Sequence, residues 1–294
     1  MNQTEVLNFG SLNIDHVYRV PHFVEPGETL SCLSYSVFAG GKGLNQSIAL
    51  ARAGVTTAHA GKIGHDGSFL IQTLEKAGVD TAFVLEGETP TGHASIQVDA
   101  AGQNSILLYP GANSMISENE ILSVLKKQTP GTWLLLQNEI NSIPFIMQEA
   151  NKRGLRIAIN PAPCTDAVKD YPFELAELLF VNEIEAAQLS GVSGSFEETA
   201  QALSERYPAL QIIMTLGSHG AIYCCGKEMI FEPAIPAEVV DTTSAGDTFC
   251  GYFLSSLIKG FSSAEAMKFA AKASSITVSR PGAAISIPLS SEIF

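Results

Sequence analysis

Asp247 follows a run of small residues and precedes an apolar stretch, and this combination could support phosphoryl transfer. The segment Asp241–Gly246 leads into a helix predicted from Phe249 to Leu257. Unpaired backbone N–H groups at a helix start, together with the positive end of the helix dipole, bind anions. A carboxylate in the same turn could accept the proton of an attacking hydroxyl while N–H groups of Ser244–Asp247 stabilise the phosphoryl charge. A capped helix start with a favourable first-turn acid explains the same residues equally well.

A second glycine-rich segment, Gly40-Gly41-Lys42-Gly43-Leu44-Asn45, opens another predicted helix. It lacks the Gly-x-x-x-x-Gly-Lys-Ser/Thr order of a P-loop and the spaced glycines after a buried strand that bind dinucleotides. Glycines that let a ligand approach the backbone, with one Lys and one Asn, suit a polyhydroxylated ligand. Glycine-rich helix starts are common, so this segment alone is weak evidence.

The two segments, about 200 residues apart, resemble the two signatures of the ribokinase-type sugar kinases, the phosphofructokinase-B group. Further matching segments follow in the family's order over nearly the whole chain. They are Gly10–Asp15, Pro26–Thr29, Gly111–Asn113, Asn160–Pro163, Asn182–Glu185, Thr215–Gly220 and Arg280–Ala283. The resemblance implies a kinase that transfers the γ-phosphoryl group of ATP to a primary hydroxyl of a sugar, with ribose as the expected acceptor.

Composition agrees with an enzyme that acts on small molecules. The chain has 294 residues, 46% of them apolar, which suffices for the core of one large α/β domain or two small ones. The formal net charge of −13 argues against nucleic acid or an anionic membrane as a partner. It also repels nucleotide triphosphate, so local amides, a metal ion and a few cations must attract the nucleotide. Five cysteines without metal or redox spacing, no signal sequence and no long apolar run predict a cytoplasmic protein.

Short apolar strands alternate with helical patterns, which predicts a mainly parallel sheet flanked by helices. The predicted strands are Val6–Gly10, Thr57–Ile63, Thr132–Leu136, Arg156–Ile159, Leu178–Val181 and Gln211–Thr215. The predicted helices are Leu44–Ala53, Gly67–Ala77, Glu118–Lys127, Ile143–Lys152, Glu183–Leu189 and Ser195–Arg206.

Two segments, approximately residues 14–38 and 91–110, break this alternation with period-2 patterns and no helix. They predict a small sheet outside the main layer, which the family resemblance makes a lid over the sugar and the contact of a homodimer. The expected fold is therefore one three-layer α/β domain over residues 1–294, with a small β-sheet lid.

The resemblance also assigns sugar-binding residues. They are Asn13, Asp15, Gly41, Lys42, Asn45, Glu139 and Asp247. Asn13 and Asp15 follow the first strand, where open parallel sheets bind ligands, and a carboxylate can accept hydrogen bonds from two sugar hydroxyls. Asn and Asp are also ordinary turn residues, and Glu139 would pass for a solvated loop charge without the resemblance. The catalytic set is Asp247 as the base with Gly246, Ala245 and Ser244 around the phosphoryl group.

The nucleotide site is expected from further matching segments. Its residues are Asn182, Thr215, Leu216, Gly217, Ser218, His219, Gly220 and Gly246. The resemblance implies that Asn182 and Glu185 hold Mg²⁺ largely through water, whereas a helix start with acidic first-turn residues is the simpler interpretation. Many relatives have Arg or Lys where this chain has His219, which puts a phosphate contact there in doubt at neutral pH.

A monovalent-cation site, for K⁺, is the last site that the resemblance implies. Its residues are Asp241, Thr243, Thr277, Arg280, Gly282 and Ser286, and ordinary loop packing is the alternative. Tyr252 departs from the family signature, which usually has Ala or Gly there. On a helix facing the sheet, this side chain would need smaller neighbours.

Two alternatives to a ribose kinase stay open. One is a kinase for another pentose, a keto-deoxy sugar acid or a nucleoside, although the predicted lid strands carry few aromatic residues for stacking on a base. The other is a sugar-binding regulator that lost catalysis. The presence of Gly246 and Asp247 with Asn182 and Glu185 argues against the regulator, because sugar binding alone needs none of them.

Overall fold

The computed structural model describes residues 4–294, and its strands form two separate sheets. The strands are, in chain order, β1 (Val6–Phe9), β2 (Asn13–Arg19), β3 (Ser34–Gly40), β4 (Thr57–Gly64), β5 (Asp80–Gly87), β6 (Gly92–Val98), β7 (Asn104–Tyr109), β8 (Trp133–Gln137), β9 (Arg156–Asn160), β10 (Leu178–Asn182), β11 (Gln211–Thr215), β12 (Gly220–Cys225) and β13 (Glu228–Pro233). The helices are α1 (Lys42–Arg52), α2 (Ser68–Lys76), α3 (Glu118–Leu125), α4 (Ile143–Lys152), α5 (Glu183–Ser190), α6 (Phe196–Arg206), α7 (Ala245–Ile258) and α8 (Ser263–Val278).

The large sheet has the strand order β13-β12-β11-β10-β9-β8-β1-β4-β5. The strands from β11 to β5 run parallel, while β12 and β13 add an antiparallel edge. Strand β8 is buried along its whole length, because helices cover both faces of the sheet and leave no solvent-facing side. Parallel strands place all their carboxyl ends at one edge, where an open α/β sheet binds its ligands.

The helices divide into two layers, each with its own apolar core. Helices α1, α2, α7 and α8 cover one face through buried residues such as Leu44, Leu70 and Phe253. Helices α3 to α6 cover the other face through residues such as Ile121 and Met147. The three-layer fold predicted from the sequence is thereby confirmed. Each helix within residues 4–294 is too short or too polar to span a lipid bilayer.

The small sheet is formed by the two segments predicted to form a lid. Its order is β3-β2-β6-β7, with β2 and β6 parallel and the outer strands antiparallel to them. Asp15 on β2 lies opposite Phe38 and Ala94, so these side chains share one face of the lid. Ile96 shares that face, whereas Gln97 lies on the other face and accepts a hydrogen bond from the Val24 N–H.

Several elements differ from the sequence-based expectation. Strands β5, β12 and β13 and helix α8 are additional, and α7 begins at Ala245, four residues earlier than predicted. Asn13 and Asp15 do not follow the first strand as a turn but form part of lid strand β2. Tyr252 does not face the sheet: its hydroxyl donates to the Pro288 carbonyl (2.8 Å) and its ring stacks on Phe294. The C-terminal segment therefore provides the space that the extra ring needs.

Candidate active site

Helix α7 begins with a strained turn. Ser244, the residue before it, has a left-handed backbone with φ 61°, a conformation that costs a residue other than glycine about 1–3 kcal/mol. Its hydroxyl donates to the carbonyl of Ala283 (3.1 Å), which ties the turn to the loop after α8. Strain of this kind persists where the surrounding structure enforces it, and it is common at functional sites.

The same turn leaves backbone N–H groups free. Within the described chain, no acceptor receives the N–H groups of Ser244, Gly246 or Asp247. The N–H of Ala245 was expected to be free as well, but it lies 3.3 Å from the carbonyl of Thr242 and donates to it. The free groups lie at the positive end of a 14-residue helix, which is the geometry that binds an anion.

The Asp247 carboxylate is held in one orientation. The residue is 7% exposed and lines the pocket in front of α7. Asn45 Nδ2 donates to its Oδ2 (3.1 Å), and Gln46 Nε2 donates to its Oδ1 (2.8 Å). Both donors come from α1, so the two glycine-rich segments of the sequence meet at this carboxylate. Each oxygen keeps a second lone pair that can accept a proton.

Asp15 is a partly buried carboxylate that receives no hydrogen bond from residues 4–294. Burial, and then the negative charge of Glu139, raise its pKa to about 7. A Cβ at Gly40, which lies opposite Asn13 on β3, would be 2.0 Å from Asp15 Oδ2, so this glycine provides the room for the Asp15 side chain. A carboxylate that lacks partners in the protein is free to accept hydrogen bonds from a ligand.

Glu139 connects the lid side of the site to the start of α1. Its Oε2 accepts from the Ser11 hydroxyl (2.5 Å) and from the backbone N–H of Lys42 (3.0 Å). Burial raises its pKa, although these donors and the Lys42 charge act in the opposite direction. Gly41 precedes the helix with φ 96°, a conformation that suits glycine alone. Glu139 is therefore a cap of α1 rather than a solvated loop charge.

Lys42 is a largely buried cation among three carboxylates. The charge of Asp247 raises its pKa most; burial lowers it, and Glu139 and Glu185 raise it further. It lines the pocket as the only Lys or Arg among the lining residues of the described chain. In a chain of net charge −13, this ammonium group is the local positive charge available to an anionic ligand.

Asn13 is oriented by a residue from outside the lid. Asn113 Nδ2 donates to Asn13 Oδ1 (2.7 Å), and the same amide pairs with the Leu12 backbone in both directions. Because its oxygen is an acceptor here, Asn13 has its Nδ2 left as a donor for a ligand. A Cβ at Gly92 would overlap both amides, at 2.1 Å from Asn113 Nδ2 and 2.5 Å from Asn13 Oδ1.

A concave pocket at the carboxyl ends of β9 to β11 adjoins the free N–H groups of α7. It is lined by Lys42, Asn160, Ala162, Phe180, Val181, Asn182, Glu185, Thr215, Thr242, Ser244, Ala245, Gly246, Asp247 and Phe249. Nucleotide-site candidates Asn182, Thr215 and Gly246 lie in this lining. The other candidates form the hairpin Leu216–Gly220 beside it, in which His219 is exposed and packs near Phe196.

Asn182 and Glu185 make a reciprocal cap at the start of α5. Asn182 Oδ1 accepts from the Glu185 N–H (2.8 Å), and Glu185 Oε2 accepts from the Asn182 N–H (3.0 Å). The simpler interpretation of these residues, a helix start, therefore holds. Glu185 Oε1 has no partner in the described chain, and burial raises the pKa of this carboxyl. One free carboxylate oxygen in the pocket lining fits a Mg²⁺ that keeps most of its water.

Asp241 joins the two loops that flank the start of α7. Its Oδ1 accepts from the Thr243 N–H (2.9 Å) and its Oδ2 from the Gly282 N–H (3.0 Å). Burial alone would raise its pKa, but these hydrogen bonds outweigh burial and lower it. Three other candidates for the cation site have side chains engaged elsewhere: Thr277 with Thr248 and Ala273, Arg280 with Glu292, and Ser286 with Ala283. Their backbone carbonyls, and the lone pairs of the Thr277 and Ser286 hydroxyls, are what remains to complete a cage.

Sequence reasoning missed four polar residues that hold the site together: Ser11, Gln46, Asn113 and Asn160. Ser11, Asn113 and Asn160 lay in segments that matched the family but had no role assigned. Gln46 gave a detectable signal, since its neighbours on the same helix face, Ala49 and Leu50, are apolar, and the structure shows this amide to be completely buried. Its hydrogen-bond partner on strand β8, Gln137, could not be identified from a single sequence.

An oriented carboxylate beside free N–H groups, next to an open pocket at the carboxyl ends of a parallel sheet, fits a phosphoryl-transfer enzyme, and comparison with known proteins agrees. The model of the pfkB family of carbohydrate kinases matches residues 3–289. The chain therefore belongs to the pfkB family, whose members are phosphotransferases that act on an alcohol group, and the family predicted from the sequence is confirmed.

Individual relatives are similar over almost their full length. The ribokinase of Haemophilus influenzae is 36% identical over 292 residues, 96% of this chain and 95% of that one. A ribokinase structure from Arabidopsis thaliana, complexed with ribose and ATP, has a TM-score of 0.88 at 30% identity and covers 99% of this chain and 98% of that one. A Cryptococcus neoformans ribokinase structure with ADP has a TM-score of 0.87 at 34% identity, covering 99% of each chain.

Proposed function

We propose that this chain is an ATP-dependent ribose kinase, which transfers the γ-phosphoryl group to O5 and yields ribose 5-phosphate. One observation carries the proposal: an oriented carboxylate, Asp247, lies in the same turn as free N–H groups of α7 and lines an open pocket. The similarity to ribokinases of several organisms, including one complexed with ribose and ATP, supports ribose and ATP as the substrates.

Asp247 is the base in this proposal. Its carboxylate accepts the proton of the O5 hydroxyl as the oxygen attacks the γ-phosphorus, and Asn45 and Gln46 keep it aimed. The N–H groups of Gly246 and Asp247 stabilise the charge of the transferred group, while Lys42 adds a full positive charge. Ala245 and Ser244 shape this turn.

Sugar hydroxyls are recognised by polar groups from three elements. Asp15 and Asn13 come from lid strand β2, Glu139 from the loop after β8, and Gly41, Lys42 and Asn45 from the start of α1. Asp15 lacks protein donors and Asn13 keeps a free amide donor, so both have capacity for hydroxyl groups. The lid excludes water from the site, which keeps hydrolysis of ATP from competing.

ATP occupies the pocket in front of α7. Thr215 and Asn182 line it, and the hairpin of Leu216, Gly217, Ser218, His219 and Gly220 forms its rim. Asn182 and Glu185 would hold Mg²⁺ through water, and the ion would supply positive charge to the phosphates. K⁺ would be held near Asp241 and Thr243 with carbonyls of Thr277, Arg280, Gly282 and Ser286. Both ions are expected to act through the geometry and charge of the phosphate site.

The lid is proposed as the contact of a homodimer, because it exposes apolar side chains on an edge of the fold. They are Leu33, Tyr35, Val37, Phe38, Ile106, Leu107, Leu108 and Tyr109. Exposed apolar residues in such number on one small sheet are typical of protein–protein contacts.

A panel of acceptors with an ADP-release assay tests the proposal. Ribose should give the highest kcat/KM, above 2-deoxyribose, other pentoses, keto-deoxy sugar acids and nucleosides. A site built to pair each hydroxyl leaves a buried polar group unsatisfied when that hydroxyl is missing, which costs about 1–3 kcal/mol. Equal efficiency on ribose and 2-deoxyribose would contradict ribose specificity, and binding of sugar with no turnover would favour the regulator.

A further inference from the structure

A continuous row of buried polar side chains extends from Asp247 into the core between α1 and the large sheet. We call it the polar row, and it consists of Gln46, Gln137, Asn8, Ser47 and His59, each 0% exposed. Gln46 and Ser47 belong to α1, and the other three come from adjacent strands β8, β1 and β4. Asn8 and His59 are direct neighbours in the register of the sheet.

The hydrogen bonds next to Asp247 can run in only one direction. An ionised carboxylate only accepts, so Gln46 must turn its Nε2 toward Asp247 (2.8 Å). Its Oε1 is then left to accept from Gln137 Nε2 (2.7 Å). Gln137 Nε2 also donates to Asn8 Oδ1 (2.9 Å). If the Gln137 amide were reversed, its oxygen would face two acceptor oxygens.

At the end of the polar row far from Asp247, the direction of hydrogen-bond donation is also fixed. Asn8 Nδ2 donates to the Gly43 carbonyl (2.7 Å) and to Ser47 Oγ (2.8 Å), which leaves the Ser47 hydroxyl to donate to His59 Nδ1 (2.8 Å). Burial lowers the pKa of His59 to about 3, so its ring is neutral and Nδ1 can accept. His59 Nε2 lies near the Gly10 carbonyl without a hydrogen bond of good geometry.

This arrangement is costly for a protein core, where apolar side chains would pack without desolvating polar groups. The row even leaves two buried polar atoms, Gln137 Oε1 and His59 Nε2, without partners. Gly10 is needed as well, because a Cβ there would lie 2.1 Å from Gln137 Oε1. A contribution to stability does not explain such a row. A role in fixing the orientation of the Gln46 amide beside Asp247 explains it.

We propose that Gln46, Gln137 and Asn8 are positioning residues for Asp247. Gln137, held by Asn8, keeps the Gln46 amide from reversing, with longer contacts from Asn160 Oδ1 (3.3 Å) and the Cys250 thiol (3.8 Å) acting in the same sense. Gln46 in turn fixes the plane of the Asp247 carboxylate. The proposal rests on the proposed kinase function, in which that plane decides how well the base meets the attacking hydroxyl. Interchange of amide oxygen and nitrogen at Gln46 would place an oxygen against the carboxylate and push it out of line.

The test is a kinetic double-mutant cycle with Gln137→Met, a change that keeps the volume and does not touch Asp247 or substrate. In the otherwise unaltered enzyme, kcat should fall about tenfold while the sugar KM changes less than about twofold. In an Asp247→Asn background, Gln137→Met should have no further effect, because the group that it positions is absent. A merely structural role would lower activity in both backgrounds.

The matched control is Thr57→Val, which removes a buried hydroxyl from the same strand as His59. Thr57 donates only to the Val55 carbonyl and has no link to Asp247, so kcat should stay unchanged. If Gln137→Met does not fold, Asn8→Leu removes the hydrogen bond that holds Gln137. It should give a smaller loss of kcat, again only in the enzyme that retains Asp247.

Failure of this proposal is separable from failure of the proposed function. The unaltered enzyme on the sugar panel tests the function, and the variants are assayed with whichever acceptor it uses best. A crystal structure of Gln137→Met supplies a readout that needs no substrate: the Asp247 carboxylate should rotate from its present orientation. An unrotated carboxylate, unchanged kcat, a change in KM alone or equal losses in both backgrounds would overturn the role of the row.

Discussion

The carboxylate of Asp247 carries the proposed chemistry at the scale of single residues. Two amide donors hold it beside free N–H groups. Replacement by an amide keeps the volume of the side chain, although its NH2 group then faces one of the two donors. We expect Asp247→Asn to lower kcat by roughly 10²–10⁴ with little change in sugar affinity, because only the base is lost. Steady-state kinetics and sugar titration measure the two effects. Near-normal turnover in this variant would mean that another group takes the proton.

Asp15 should make sugar binding depend on pH. Its pKa in the ligand-free protein is about 7, raised by burial and by Glu139. Because the pKa is raised, the neutral form dominates below pH 7; a protonated carboxyl has an O–H donor on one oxygen and accepts hydrogen bonds from hydroxyls more weakly than the carboxylate does. The sugar KM should therefore rise about tenfold as the pH falls from 8 to 6. Asp15→Asn should bind sugar weakly at all pH values, and a sugar KM that is flat with pH in the unaltered enzyme would contradict the role of Asp15.

At the scale of elements, the start of α7 depends on two loops that Asp241 ties together. Both of its oxygens accept backbone N–H groups, one from Thr243 and one from Gly282. An ion held by the remaining lone pairs and by nearby carbonyls would stiffen the phosphate site without touching the sugar. Potassium should suit such a loose oxygen cage better than the smaller sodium ion.

Turnover should accordingly be higher in potassium than in sodium at matched ionic strength. Asp241→Ala should abolish the difference, because it removes the only full negative charge in the proposed cage and the contact between the loops. Initial rates in the two chloride salts measure the effect. Asp66→Ala is the control, because it removes an exposed acid that is distant in sequence from Asp241. Equal rates in both salts for the unaltered enzyme would leave Asp241 as a loop contact only.

The elements that sequence predicted well are those with an unambiguous local pattern. Strand β8 is a short apolar run and α4 a clear amphipathic helix, and both were predicted to within a residue or two. Strand β5 was missed because it is a partly exposed edge strand with mixed residues. Helix α8 was missed because Ala and Ser fill both its faces, although Ser262 and Glu265 form a capping box at its start.

The residues of the candidate site also divide into those that sequence could place and those that it could not. The residues of matched segments, such as Asp247 and Asn45, could be placed from sequence, and the structure brings these two into contact. The polar row could not, because it joins α1 to three strands that are far apart in sequence. A lone buried Asn or Gln in a strand has no local signature, and only the sheet register shows that Asn8 and His59 are neighbours.

At the scale of the whole molecule, the lid is the part that the fold leaves least covered. Leu107 is 75% exposed and Leu33 is 71% exposed, although both belong to a small sheet or its adjoining loop. That residues 1–294 act as one domain stays a prediction. In a monomer, the apolar side chains of the lid would be exposed to water. Pairing two lids would bury it, at about 25 cal/mol for each Å² of apolar surface removed from water.

We therefore expect the protein to sediment as a homodimer, and Leu107→Asp to shift it toward monomer because the charge would be buried in the lid contact. Leu289→Asp is the matched control, since Leu289 is 56% exposed but lies near the C-terminus, outside the lid. Sedimentation velocity over a range of concentrations measures both variants. A monomer for the unaltered chain at every concentration, or a dimer that Leu289→Asp weakens as much as Leu107→Asp does, would place the contact elsewhere or remove it.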